Sequence, residues 1–181
     1  EDMIERKADC NFISKNWQAA IDDYSLLITK YKTKMSDIWT KRAECYMQTN
    51  AFENAIKDYN KAIQFDNSNY SAYFNRGKAQ AKLNKSQAAL SDFKKASELK
   101  PDAFEPYLER GMLLFDLKKY QQAVDELNIA IKLEPKSAEA YFYRGACKDF
   151  LKDSKGSCND LKKAAQLGHA EAIEISKSKC K

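Results

Sequence analysis

The side chains with the widest chemical range are scarce in this chain of 181 residues: one histidine, His169, and five cysteines. His169 follows Gly168 at a predicted turn, a solvated position, and a histidine-based triad has no second candidate to draw on. The cysteines form no Cys-x-x-Cys pair and no Cys/His cluster of the kind that holds a tetrahedral metal. Carboxylates abound, but on polar helical faces rather than in a dry pocket that would drive two pKa values apart. Three of the five glycines, Gly77, Gly111 and Gly145, recur at one spacing, so none builds a phosphate-binding loop. We therefore expect no enzyme activity and no cofactor. What does recur is a base followed 16 residues later by an acid: Lys7/Asp23, Arg42/Asp58, Arg76/Asp92, Arg110/Glu126 and Arg144/Asp160. A long basic stem lies along apolar surface while its head meets a carboxylate. The pattern predicts a ladder of partly buried ion pairs, formed within one repeat or between neighbours.

The scaffold that positions this ladder is itself periodic. Trp39-x-x-Arg42-Ala43 returns as Tyr73-x-x-Arg76-Gly77, Tyr107-x-x-Arg110-Gly111 and Tyr141-x-x-Arg144-Gly145, each 34 residues on. Ala55-x-x-x-Tyr59-x-x-Ala62 returns at the same step through Ala89/Phe93/Ala96, Ala123/Leu127/Ala130 and Ser157/Leu161/Ala164. An earlier copy runs through Ile4, Lys7, Ala8, Ala20 and Tyr24, with one extra residue before the next. Each copy holds two windows with apolar residues three and four apart, the signature of amphipathic helices. The small column Ala8, Ala43, Gly77, Gly111 and Gly145 lets the two helices approach, making room for the large rings at Trp39, Tyr73, Tyr107 and Tyr141. Ser36, Ser86, Asp102 and Ser137 are the expected N-caps, and Pro106 fits a first helical turn. One helix cannot bury its face alone, but a stack of pairs can.

The period, the aromatic-x-x-x-small string, the Ala-x-x-x-aromatic string and the closing Pro101 and Pro135 resemble the tetratricopeptide repeat. The resemblance covers residues 1 to about 169, with the last copy similar to the closing repeat of bacterial proteins of this kind. It implies an all-α, right-handed α-solenoid of five helix-turn-helix repeats in one domain, residues 1–181. The expected repeats are 1–35, 36–69, 70–103, 104–137 and 138–169, with a capping helix over 170–180. The family's consensus Leu is replaced here by the bases of the ladder. Composition agrees with a folded chain, since 44% of residues are hydrophobic and 31% charged. No apolar run approaches the roughly 18 residues of a membrane span. The net charge of +5 is no sign of nucleic acid. The chain does not begin with Met; a removed export signal would place it in a periplasmic or exported compartment, and otherwise it is cytoplasmic.

In tetratricopeptide stacks the first helices line a groove that takes a peptide or helix, and the resemblance maps that lining onto this chain. Ten lining residues are acids (Asp2, Glu5, Asp9, Asp37, Glu44, Glu105, Glu109, Asp116, Glu139, Asp149) and four are bases (Arg6, Lys41, Lys78, Lys82). Several of the acids lie in first helical turns, where the helix dipole alone favours them. Leu108, Met112, Phe115, Phe142, Tyr143 and Phe150 form an apolar row, of the residue types that anchor interfaces. The same row serves equally for packing under the capping helix. The contact residues expected are Phe74, Asn75, Lys78, Leu108, Met112, Phe115, Phe142, Tyr143, Phe150, Glu44 and Glu109. The clamp that grips the acidic tail of heat-shock chaperones requires Lys and Asn, then Asn, then Lys and Arg. The matching positions from the second repeat are Thr40, Glu44, Asn75, Glu105 and Glu109, where only Asn75 fits and acids replace cations. A neutral or basic protein or peptide ligand follows, because acids repel a carboxylate-rich tail.

Cys10, Cys45 and Cys147 share one column and Cys158 falls in another, both core columns. Cys180 ends the capping helix; folding that helix back brings it towards Cys158, with Cys147–Cys158 as the rival pairing. Asn69-Tyr70-Ser71 and Asn84-Lys85-Ser86 match the N-glycosylation pattern. A scaffold that binds a peptide or helix is the leading reading. The alternative is an architectural or self-associating arm of a larger assembly. Nucleic-acid binding would rest on Lys57, Lys61, Lys94, Lys95, Lys162 and Lys163, which read better as a solvated outer face.

Overall fold

A computed structural model describes residues 2–32 and 34–180. These residues form eleven helices: α1 (Asp2–Ile13), α2 (Trp17–Lys30), α3 (Ser36–Gln48), α4 (Phe52–Phe65), α5 (Tyr70–Lys82), α6 (Ser86–Leu99), α7 (Glu105–Asp116), α8 (Tyr120–Leu133), α9 (Ala138–Phe150), α10 (Ser154–Gln166) and α11 (Ala170–Lys179). Two compact units result, residues 1–99 with α1–α6 and residues 100–181 with α7–α11. The first ten helices pair as helix-turn-helix repeats. Each within-repeat turn reverses through one residue in the left-handed region: Lys15, Asn50, Asn84, Lys118 and Lys152.

In the first unit, Ala8, Ala20, Tyr24, Leu27, Ile38 and Cys45 form one core cluster, and Ala43, Ala55, Tyr59, Ala62 and Ala72 another. Large rings on second helices meet small residues on first helices. A Cβ at Gly77 would stand 2.7 Å from the Phe93 ring, and one at Gly111 2.6 Å from Leu127. The small column thus makes room for Phe93 and Leu127 of the second helices, not for the Trp39/Tyr73 column expected. The reason is geometric: residues three or four apart on one helix lie side by side, whereas the crossing helix presses directly on the gap. In the second unit, Leu161, Ala164, Ala172 and Cys180 are buried together, with Tyr141, Phe142 and Ile175 packed around them. Helix α11 therefore covers the apolar face of the last repeat. Cys158 and Cys180 form a disulfide that ties the end of α11 to α10, with 5.4 Å between their Cα atoms. Cys147 stays free and buried, as does Cys45. Cys10, in the same column and expected in the core, is exposed.

All five ladder pairs form within a repeat. Arg42, Arg76 and Arg144 each donate from Nε and Nη2 to both oxygens of their aspartates, at 2.6–2.8 Å. Their Nη1 groups donate to Ser25, Asn60 and Asn128 on the second helix of the preceding repeat. One guanidinium thus closes its own helix pair and ties it to the preceding one. Arg110 reaches Glu126 with a single contact of 2.8 Å, leaving Arg110 Nε and Glu126 Oε2 buried without partners.

Capping differs from expectation at three sites. Ser36 and Ser86 are first residues of their helices, and Asp102 precedes a helix whose N-cap is Phe104. Ser36 instead donates to the carbonyl of Ala62. Ser137 does cap α9, and Asn69, Asp153 and His169 cap α5, α10 and α11 through side-chain acceptors. Asn69 also donates from its amide nitrogen to Ser36 and Thr40, so a glycan on that nitrogen would disturb both contacts.

Candidate functional site

Each unit carries a pocket on its first-helix face. The second-unit pocket, about 350 Å³, lies between α7, α9 and α11, with Leu161 of α10 at its base. Phe115, Phe142, Tyr143 and Phe150 line it, four of the six residues of the predicted apolar row. Their rings contact one another edge-on or tilted: Phe115 to Tyr143 at 5.6 Å, Phe115 to Phe150 at 5.9 Å and Phe142 to Tyr143 at 5.5 Å between centroids. Such pairs hold each ring's direction as well as adding about 0.5–1.5 kcal/mol each. Phe150 remains 57% exposed, a large cost in water unless something covers it. Leu108 is only 8% exposed and belongs to the core, and Met112 is half-buried outside the pocket lining.

Three parts of this pocket escape sequence reasoning. Tyr120, the first residue of α8, stacks on Phe150 with centroids 4.5 Å apart. Its signal was present, since Trp17 and Phe52 open second helices at the same position. His169 is half-buried rather than solvated: its ring stacks on Phe142 at 4.1 Å while Nδ1 accepts from the Ala172 N–H. The capping helix contributes Glu171, Ile175 and Lys179 to the lining, and Lys179 pairs with Asp149. The electrostatics are acidic. Burial first, then the charges of Glu139, Asp116, Glu171 and Glu109, push the Tyr143 hydroxyl above its ordinary range.

The first-unit pocket, about 210 Å³, is lined by Phe12, Trp17, Glu44, Met47, Gln48, Tyr59, Asn75 and Lys78. It brings together the predicted Glu44, Asn75 and Lys78. Asn75 Nδ2 donates to Glu44 Oε1 at 3.3 Å. Phe74 turns away from this lining, stacks on Tyr70 at 5.8 Å and tilts against Phe93 at 5.9 Å. The Lys78 ammonium sits 5.6 Å from the centroid of the Phe74 ring. Glu109 is half-buried and acts on Tyr143 of the second unit through its charge. Among the described residues no group of three His, Cys, Asp or Glu side chains is placed to hold a metal, and no helix is long and apolar enough to cross a membrane.

Residues 44–84 and 111–147 match the TPR repeat model, and residues 70–103 the tetratricopeptide repeat model. The chain belongs to the tetratricopeptide repeat family. Curated relatives include human tetratricopeptide repeat protein 12, 34% identical over 82 residues, and rat sperm-associated antigen 1, 38% identical over 69. A rice SGT1 homolog is 31% identical over 80 residues. These stretches are 45%, 38% and 44% of this chain but only 12%, 8% and 22% of those proteins. Among solved structures, MamA superimposes with a TM-score of 0.85 over 92% of this chain and 96% of its own, at 20% identity. YrrB, described as a TPR protein with an unusual peptide-binding site, gives 0.82 over 94% and 88%, at 18% identity. These likenesses establish the tetratricopeptide solenoid fold. With the family assignment they support a repeat scaffold for protein–protein interaction.

Proposed function

We propose that this tetratricopeptide repeat chain holds a peptide or helix of a partner protein against its first helices, and that the aromatic pocket of the second unit is the main anchor. The observation that carries this reading is the cluster Phe115, Phe142, Tyr143 and Phe150 around a 350 Å³ cavity, with Phe150 still 57% exposed. Aromatic side chains gathered in one concave site are the usual source of binding energy at interfaces. The carboxylates Asp116, Asp149 and Glu171 in the same lining favour a neutral or basic ligand over an acidic chaperone tail. YrrB, with the same fold, is described by a peptide-binding site of its own, which fits this use of the scaffold. The chain acts by binding, without chemistry or cofactor, and without nucleic acid as its ligand.

The test is affinity capture from a lysate of the source organism, comparing wild type with Phe115→Ala/Phe142→Ala. A protein lost selectively by a variant that still melts cooperatively supports the anchor. Equal recovery by both removes it and turns attention to the architectural reading. Binding whose strength falls steeply with salt and requires RNA or DNA would reverse the assignment of the partner class.

A further inference from the structure

The first two repeats build the same three-residue cluster, and only one is complete. Asp9 of α1 accepts from the Tyr24 hydroxyl at 2.7 Å and from the Lys41 ammonium at 2.8 Å, Lys41 lying on the first helix of the next repeat. The positions 35 residues after Asp9 and Tyr24, and 34 after Lys41, are Glu44, Tyr59 and Asn75. Here the next repeat supplies a neutral amide, at 3.3 Å. The Tyr59 hydroxyl, on a fully buried side chain, has no hydrogen-bond partner. The cation that acts on Glu44 is Lys41, whose ammonium is already engaged by Asp9. The two acids diverge accordingly. Burial raises both, but at Asp9 the bonds from Lys41 and Tyr24 outweigh it and hold the carboxyl below its ordinary value. At Glu44 burial wins over the charge of Lys41.

The second cluster also differs in opening onto a cavity. Glu44, Tyr59 and Asn75 share the 210 Å³ pocket with the apolar walls Phe12, Trp17 and Met47. An apolar shaft ending at an underpartnered carboxylate matches one kind of side chain, a long apolar stem with a cationic head. We propose that this pocket is a subsite for one basic side chain of the partner, an ammonium or guanidinium that takes at Glu44 the place Lys41 holds at Asp9. The proposal rests on the peptide-binding reading and gives the ligand a specific chemical feature. In the occupied site the head donates to the Glu44 carboxylate and the stem lies on Trp17 and Met47. Glu44, drawn inward, becomes the acceptor for Tyr59 that Asp9 is for Tyr24. Lys78 also lines the pocket, but its ammonium lies over the Phe74 ring, and Phe74 is outside the lining.

The experiment is an NMR titration of the ¹⁵N-labelled full chain with the methylamides of N-acetyl-lysine and N-acetyl-arginine. The neutral isosteres N-acetyl-norleucine and N-acetyl-citrulline methylamide serve as controls. Saturable shifts are expected at the Trp17 indole N–H and the Gln48 and Asn75 side-chain amides with a basic probe only, and the tighter probe names the head group. Glu44→Gln should weaken that binding about tenfold, the loss of one charge-assisted contact. Asn75→Lys, which supplies the lysine that the first cluster has at Lys41, should abolish it while the chain still melts cooperatively. Equal shifts with the neutral probes overturn the proposal, as do unchanged affinities in both variants or shifts confined to other residues. The Phe115→Ala/Phe142→Ala variant keeps the two claims apart. Probe binding at Glu44 with undiminished partner recovery in that variant removes the aromatic anchor and leaves the subsite. Selective partner loss without probe binding does the reverse.

Discussion

The two pockets lie on corresponding helix faces but are built differently. The second unit's pocket is walled by rings that already hold one another, under a terminal helix tied down by Cys158–Cys180. The first unit's pocket has a polar floor in which Glu44 has one long contact and Tyr59 has none. A preorganised aromatic surface binds through area and shape, with little rearrangement to oppose it. A half-buried carboxylate short of partners binds through charge, and its folded state carries a desolvation penalty until a partner arrives. One repeat architecture thus yields one site suited to affinity and another suited to selectivity.

The sharpest way to break this contrast is at the disulfide. Cys180→Ser should cost about 2–4 kcal/mol, the usual value for a loop of this size. Hydrogen exchange should place that loss in α10 and α11, with α1–α6 unchanged. A uniform loss over both units would mean that the bridge is not a local device. Next in size is the aromatic anchor. Phe142→Ala should weaken partner binding by about 2 kcal/mol, roughly thirtyfold, by calorimetry with the captured partner. An effect under threefold would move the affinity elsewhere.

Glu44→Gln tests the other pocket through stability. The Glu44 carboxyl is raised in the fold by burial, so the native state binds its proton more tightly than the unfolded chain does. Its ionisation is therefore a penalty that is absent at pH below the ordinary value of 4.5 and sets in as pH rises through the raised folded value. The variant should be more stable than wild type at neutral pH, on the order of 1 kcal/mol, with the gain vanishing near pH 3. Asp9→Asn should show the opposite sign. The Asp9 carboxyl is lowered in the fold, so its contribution is present above its ordinary value of 3.8 and fades as pH falls through the folded one. Urea denaturation at several pH values reads both. The smallest effect lies in the turns. The first unit uses Asn50 and Asn84 at two left-handed positions, whereas the second uses Lys118 and Lys152 at both of its own. Asn tolerates that conformation better than Lys, and Gly better still. Lys118→Gly should therefore stabilise by about 0.5–1 kcal/mol, measured by thermal unfolding. No change would show that the turn is held by its neighbours.

The repeat and its ladder were legible because both are one-dimensional. A fixed 34-residue step places Arg42 and Asp58, or Arg144 and Asp160, at the same offset wherever the pair occurs, and the helix pair closes them. The apolar row was half legible. Phe74, Leu108 and Phe142 share a column, yet Leu108 is covered by its neighbours while the larger rings of Phe74 and Phe142 reach the edge. Side-chain length against local packing decides that, and a column alignment carries neither. Caps failed at Ser36 and Ser86 because a one-residue shift turns a cap into a first helical residue.

Composition and spacing alone determined that this chain forms paired helices with a partly buried charge ladder, because helical period and residue size act locally and repeat by repeat. The fold decided which members of a column lie under a neighbour and which meet water: Cys10 exposed, Cys45 and Cys147 buried. It decided that Cys180 pairs with Cys158 and that α11 lends Lys179 and Glu171 to a pocket. It also decided that Asp9 and Glu44, equivalent in sequence, differ in charge balance. Each of these depends on what the next helix brings within about 3 Å, a distance set by packing and invisible to spacing along the chain.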